Sequence, residues 1–273
     1  MRRLDEARET TGTLNWAYTW RRLWFSATAL WIFGCLPAVG QDEAESEEVE
    51  QQLEVRGPGT WTYEIAPYVW FSGVTGDTEV GPLEGELDAD FGDIFDILES
   101  AIMLHAEANN GRWGAFTDLM YMQVEQRGGG DLVSVKTEFE QVIWEFGGFR
   151  RWGAGKHTMD LLFGGRLVYF DLDLNPSVGA SRSKDKMFVD PIIGGRFGHT
   201  FSEKWSTSLR ADIGGFGVGS DFTVNAGALA AYHFNERIRW SFGYRYMNMD
   251  YEGSAVEVDL SLHGPITGVS IGF

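Results

Sequence analysis

Cysteine is nearly absent from this sequence of 273 residues: the single one is Cys35. No disulfide framework can therefore staple the fold, and no paired-cysteine metal or redox site exists. Proline is scarce at 7 residues, and basic residues number 22 against 40 acidic ones, a net charge of -18. Phosphate backbones repel such a chain, which excludes nucleic acid as a partner. Nowhere does the sequence offer 18 consecutive apolar residues, so no transmembrane helix is expected. It also lacks G-x-S-x-G, H-E-x-x-H and a phosphate loop, the commoner hydrolase, zinc and nucleotide signatures. No cofactor or metal site is expected.

What is present begins with an export signal. Arg21 and Arg22 precede the 14-residue apolar stretch Leu23–Leu36, and Ala38 and Gly40 follow at the spacing signal peptidase requires. That core is too short to span a bilayer and reads as a signal peptide over residues 1–40. Phe33, two before Cys35, is too bulky for the lipoprotein alternative. Removing residues 1–40 takes away 5 basic and 3 acidic residues, which leaves 17 against 37 and a net charge of -20. Residues 41–58 open with "QDEAESEEVEQQLEV", seven acidic residues and no basic one, expected to be a solvated, disordered tether.

From residue 59 the text changes. Thirty-five glycines and an aromatic content of 14% suit glycine-punctuated strands, and period-two alternation supplies them. Trp61, Tyr63, Ile65, Val69 and Phe71 share one face with Glu64 opposite; Met159, Leu161, Phe163, Leu167 and Tyr169 stand against Asp160 and Arg166. Trp240, Phe242, Tyr244 and Tyr246 stand against Arg245 in the same way. These runs are about 10–15 residues, the length of a tilted strand crossing a bilayer, where soluble strands run about 5–6. Ten are expected: 60–72, 100–110, 113–125, 135–150, 157–171, 188–200, 205–215, 221–234, 237–251 and 257–273. Their connections alternate between short turns and longer loops (73–99, 126–134, 172–187). The expected fold is all-β, a transmembrane antiparallel up-and-down β-barrel of about ten strands, with 8 or 12 as alternatives. Two irregularities are expected. Asp118 shares a face with Phe116 and Met120, which suggests a bulge, and the apolar phase of the last strand flips at Gly264–Pro265, which suggests a kink.

If the apolar face meets lipid, the other face lines the lumen. It would carry Glu64, His105, Glu107, Glu145, Asp160, Arg166, Asp190, Arg196, Arg210, Asp212, Arg245 and Asp259. Carboxylates and guanidiniums in a lumen this narrow should pair bidentately and fill it. The alternative is a narrow conducting channel for small solutes or ions. A third reading is a barrel enzyme, a hydrolase or acyltransferase, with His105 and Glu107 as an acid–base pair. The first long loop holds Phe91, Ile94, Phe95 and Leu98 at helical spacing, with Asp90 as cap and Asp93 in the first turn. That short helix would either close the mouth as a lid or rest on the rim. Its aspartates could hold cations bridging to lipopolysaccharide phosphates, or simply be solvated.

The alternating strands, the segments "GRWGAFTDLMYM", "DIGGFGVGSD" and "GYRYMNMDY", and the aromatic last residue resemble the small, OmpA-like outer-membrane β-barrels of Gram-negative bacteria. The resemblance spans Trp61 to Phe273. It implies an outer-membrane location and contact with outer-membrane lipids and lipopolysaccharide, in a class that includes adhesins, anchors, small pores and enzymes; a monomer with a structural, surface or envelope-interaction role is expected. It implies no catalytic residues. Val269, Ile271 and Phe273 resemble the terminal signal read by the barrel assembly machinery.

Overall fold

In the computed structural model the chain divides into two units, 1–48 and 49–273, and the described residues all fall in the second. They are 59–273 apart from 81–82, 131–132, 154, 178–180 and 253–255, so the expected signal peptide and tether lie outside them.

Among the described residues, twelve strands and one short helix, α1, make up the fold. The strands are β1 (Thr62–Trp70), β2 (Gly73–Val80), β3 (Leu83–Ala89), β4 (Leu98–Asn109), β5 (Trp113–Gly130), β6 (Val133–Trp152), β7 (His157–Pro176), β8 (Arg182–Ser202), β9 (Trp205–Gly215), β10 (Phe222–His233), β11 (Ile238–Glu252) and β12 (Val256–Gly272); α1 is Phe91–Asp96. Every pairing is antiparallel, β4 to β12 pair in sequence order, and β1 joins β4 to β12. The sheet thus closes into a ten-stranded up-and-down barrel, a transmembrane β-barrel without edges in its wall. The closure runs to the last residue, where the Tyr63 and Phe273 amides each donate to the other's carbonyl at 3.0 and 2.9 Å.

The outer face is the apolar one. Ile65, Val69, Ile102, Trp144, Phe146, Leu161, Phe163, Ile193, Leu209, Ile213, Val269 and Ile271 all stand exposed on it. Two indole N–H groups on this face are satisfied within the wall, Trp144 donating to the Thr117 hydroxyl and Trp240 to the Thr267 hydroxyl, both at 2.8 Å. An unsatisfied donor facing hydrocarbon would be costly, so these threonines keep the two tryptophans compatible with lipid. Around the short-turn end, Trp61, Trp113, Trp152, Phe201, Trp205, Phe234 and Phe273 form an exposed aromatic ring of the kind found at bilayer interfaces.

The structure corrects the sequence reading in four places. Residues 73–99 are not simply a loop: β2 and β3 form a hairpin, and β2 continues the pairing of β12 above the point where β1 leaves it. The other two long loops are mostly strand, because β5–β6 and β7–β8 extend as hairpins past the apolar band. The register across Asp118 is unbroken, and Phe116, Asp118 and Met120 all point inward together. Nor does the phase flip at Gly264–Pro265. The pairing of β12 with β11 is continuous, Leu262 faces the interior at 3% exposure, and Asp259 therefore lies on the outward face, exposed. Both expected irregularities assumed a uniformly polar lumen; an interior that mixes charged and apolar layers removes the need for either.

Helix α1 forms where expected. Asp90 caps it, accepting from the Asp93 amide while the Asp93 carboxylate accepts from the Asp90 amide, a reciprocal arrangement that satisfies two otherwise orphan donors. Leu98 falls outside it, at the start of β4. Phe91 packs edge-on against Phe71, ring centroids 4.8 Å apart. Ser72 and Trp70 are buried, so Phe71 between them has outward parity. A Cβ on Gly73, also of outward parity, would meet the Ala89 carbonyl oxygen and the Phe91 amide nitrogen. The helix therefore rests on the outer rim, with Ile94 buried beneath it and Phe95 exposed.

Candidate functional site

The inward face is built in layers. Toward the long-loop end, Trp70, Met120, Ile143, Val168, Met247, Met249 and Leu262 meet in one buried apolar cluster, with Tyr68, Val74, Met103, Phe170, Phe188 and Ile266 packed against it. They come from β1, β5, β6, β7, β11 and β12, which stand on opposite sides of the closed sheet, so the layer crosses the lumen. A second cluster, Phe116, Phe149, Leu162 and Ile192, covers the β5–β8 side.

Next to the apolar layer lies the charge network. Glu145, fully buried, accepts from three guanidiniums: Arg166 at 3.0 Å, Arg210 at 2.7 Å and Arg245 at 3.1 Å. Asp212 accepts from Arg166 at 2.5 Å and Arg210 at 2.9 Å. The Thr223 hydroxyl accepts from Arg166, and Asn225 bridges Asp212 to Arg245. Asp118 accepts from the Tyr68 hydroxyl at 2.7 Å, bonds His105 Nδ1 at 3.1 Å and sits 3.4 Å from Arg245. A second group lies nearer the short turns, where Asp160 takes both Arg151 (2.7 Å) and Arg196 (2.7 Å), and Glu107 takes Arg196 at 2.6 Å. Arg239 pairs with Glu64 at the end of the barrel. Charges removed from water in this way are tolerated only when almost every lone pair has a donor, and here they do.

Aromatic rings floor this network. The guanidiniums of Arg151 and Arg196 lie 5.1 and 4.9 Å from the buried Phe149 ring, Arg210 lies 5.1 Å from Phe116, and Arg245 lies 4.9 Å from Trp70. Each ring face supports a cation whose edge is used by a carboxylate. Glycine on the inward face makes room for them: a Cβ on Gly114 would stand 2.2 Å from the Phe149 ring.

Of the eleven charged residues expected in the lumen, ten are inside it, Glu64, Glu107, Glu145, Asp160, Arg166, Asp190, Arg196, Arg210, Asp212 and Arg245, and Asp259 is not. Nine of the ten join ion pairs. Asp190 does not; it accepts from the amide and hydroxyl of Ser220, both at 2.7 Å. That contact anchors the tight turn between β9 and β10, where Gly215, Phe216 and Gly217 all have positive φ (89°, 54° and 72°). His105 is bonded to Asp118 and not to Glu107, so the expected acid–base pair does not form. His263 bonds the Tyr244 hydroxyl, and His157 bonds His199, away from the network.

Sequence reasoning missed Asp118, Arg151 and Arg239 as network members. Arg239 was legible, since Trp240 beside it points outward; Arg151 was hidden by its place beside a turn, and Asp118 by its apolar neighbours.

At the long-loop end the charges are of another kind. On the extended β5–β6 hairpin Lys136 donates to Glu138 (2.6 Å) and Glu125 (2.9 Å), which raises its pKa; that of Glu99 is raised first by its hydrogen bond with Glu125. At the short-turn end the lumen is hollow. A cavity of about 420 Å³ opens there and reaches inward to Tyr68, Asp118 and Arg245. The lumen is thus filled across its middle and not throughout its length. Among the described residues no group of three or more His, Cys, Asp or Glu is arranged to hold a metal ion.

The fold and site define a closed membrane barrel with a charged, half-filled interior. No family model matches the sequence, and no curated protein matches it. Among solved structures, the barrel is similar to the outer membrane protease OmpT of Escherichia coli, at 7% identity and a TM-score of 0.49, covering 80% of this chain and 98% of that one. It is also similar to the attachment invasion locus protein Ail of Yersinia pestis (12%, TM-score 0.36, 78% and 98%) and to the toluene transporter TodX of Pseudomonas putida (12%, TM-score 0.30, 81% and 91%).

Proposed function

We propose that this protein is an integral outer-membrane barrel with a structural, surface or envelope-interaction role, and that it neither conducts solutes nor catalyses a reaction. The observation that carries this reading is the apolar layer around Trp70, Ile143, Met247 and Leu262, which closes the lumen from wall to wall. Ten strands leave little interior width, and here apolar packing and paired charges use what there is. The lipid-facing apolar band and the aromatic ring at the short-turn end support the location, with which the export signal expected over residues 1–40 agrees. In this orientation the short turns face the periplasm and the extended hairpins face outward among lipopolysaccharide. Val269, Ile271 and Phe273 close the last strand and are our candidates for recognition by the assembly machinery. The barrel closes on itself, which supports a monomer.

Planar-bilayer recording of the purified protein tests the proposal. No steady single-channel current is expected, and steady currents would instead favour a narrow channel. An enzyme reading has less support: the partners of the His105–Asp118 pair are the Tyr68 hydroxyl and Arg245, and among the described residues no serine, threonine or cysteine is hydrogen-bonded to it.

A further inference from the structure

The cavity at the short-turn end has a lining unlike the rest of the molecule. Six basic side chains reach it, Lys156, Arg151, Arg196, Arg210, Arg239 and Arg245, against three carboxylates, Glu64, Glu107 and Asp118. That is a balance of six minus three, or +3, in a chain whose net charge is -18. The asymmetry has a geometric cause. Glu145, Asp160 and Asp212 sit behind the arginines at 0–2% exposure, so they hold the guanidiniums from the wall side. Arg151 and Arg210 retain side-chain exposures of 19% and 20% on the cavity side. Each spends Nε and Nη2 on a carboxylate, and Nη1 of both makes no hydrogen bond among the described residues. Arg239, at the mouth, spends Nη2 alone, on Glu64.

We infer that this cavity is a binding site for a small organic anion, a phosphate- or carboxylate-bearing molecule entering from the short-turn side. Guanidiniums held rigid from behind lose little conformational entropy when they bind, and their planar donor edges match oxyanion geometry. The fixed pairs orient their free N–H groups inward, so the site attracts an oxyanion although the interior as a whole is close to charge balance. Its volume lies in the range of ordinary small-ligand sites. The Ser208 and Ser241 hydroxyls around the same cavity supply partners for the rest of such a molecule.

The inference stands apart from the non-conducting reading, because a blind pocket can bind whether or not the apolar layer ever opens. Titration calorimetry on the full chain in detergent micelles, with inorganic phosphate, glycerol 3-phosphate and succinate as probes and glycerol as neutral control, tests it. At least one anion should bind saturably and glycerol should not. Tighter binding of glycerol 3-phosphate than of inorganic phosphate would assign an organic phosphate, the reverse a free one, and a preference for succinate a carboxylate. R239Q and R151Q should each weaken that binding tenfold or more, while K184Q at the opposite end leaves it unchanged. R239Q removes only a rim ion pair, so it remains informative if R151Q does not fold. The inference is overturned if none of the three anions binds the wild type saturably, or if R239Q binds within twofold of it.

Discussion

Glu145 shows how much this interior asks of single residues. One carboxylate with no solvent contact faces three guanidiniums. Converting it to the neutral amide in E145Q leaves three buried cations short of a counter-charge, and R166M does the reverse to Glu145 and Asp212. Breaking a buried pair from one side typically costs about 3–5 kcal/mol. Both variants should therefore lose the heat resistance of the folded band in SDS gels and unfold at lower urea. Unchanged mobility and midpoint in both would mean that the network is not what holds the barrel together. Gly243 makes the same point sterically, since a Cβ there would approach the Ala228 carbonyl oxygen to 1.9 Å. G243V should prevent correct closure of β10 on β11, read as loss of the compact form on the same gel.

Among the elements, α1 and the β2–β3 hairpin were the least legible. The helix itself could be read from Phe91, Ile94 and Phe95 and from the Asp90 cap. Its position could not, because an amphipathic turn of six residues carries no information about which surface will receive it. The deciding contact is Phe91 on Phe71, formed after β1 has taken its place in the wall. F91A should free residues 88–98 for proteolysis by at least several-fold in rate while leaving the heat-resistant barrel intact. Equal cleavage rates in wild type and variant would show that Phe91 does not anchor the helix. The hairpin was missed for a related reason: Val74 continues the inward apolar layer while Gly73 and Gly76 interrupt the pattern that would mark a strand, so pairing with β12 only becomes visible in register.

At the scale of the whole molecule, the two halves of the lumen have opposite character. The long-loop half is sealed by apolar side chains and the short-turn half is a cationic pocket, with the ion-pair network between them. If the barrel is non-conducting as proposed, thinning the apolar layer with W70A and M247A together should make it pass current, since both side chains are almost wholly buried and their removal leaves a cavity. Bilayer recording of a double variant that still shows heat-resistant mobility decides it; continued silence would place the barrier in the charge network instead.

The sequence by itself determined the class of fold, a wall of about ten strands, and the inward face of ten of the eleven charged residues assigned to the lumen. Period-two alternation is a local property, so a residue's face follows from its neighbours wherever the inward side is polar, and fails where apolar residues such as Leu262 turn inward. Only the tertiary structure decided which charges pair, that Asp118 belongs among them and that Asp259 does not. The same holds for the apolar layer closing one half of the lumen and the pocket left open in the other. Those outcomes depend on strand stagger around a closed barrel, which brings Tyr68, Asp118, Glu145 and Arg245 to one level from positions up to 177 residues apart. Stagger is a property of closure, and no single strand contains it.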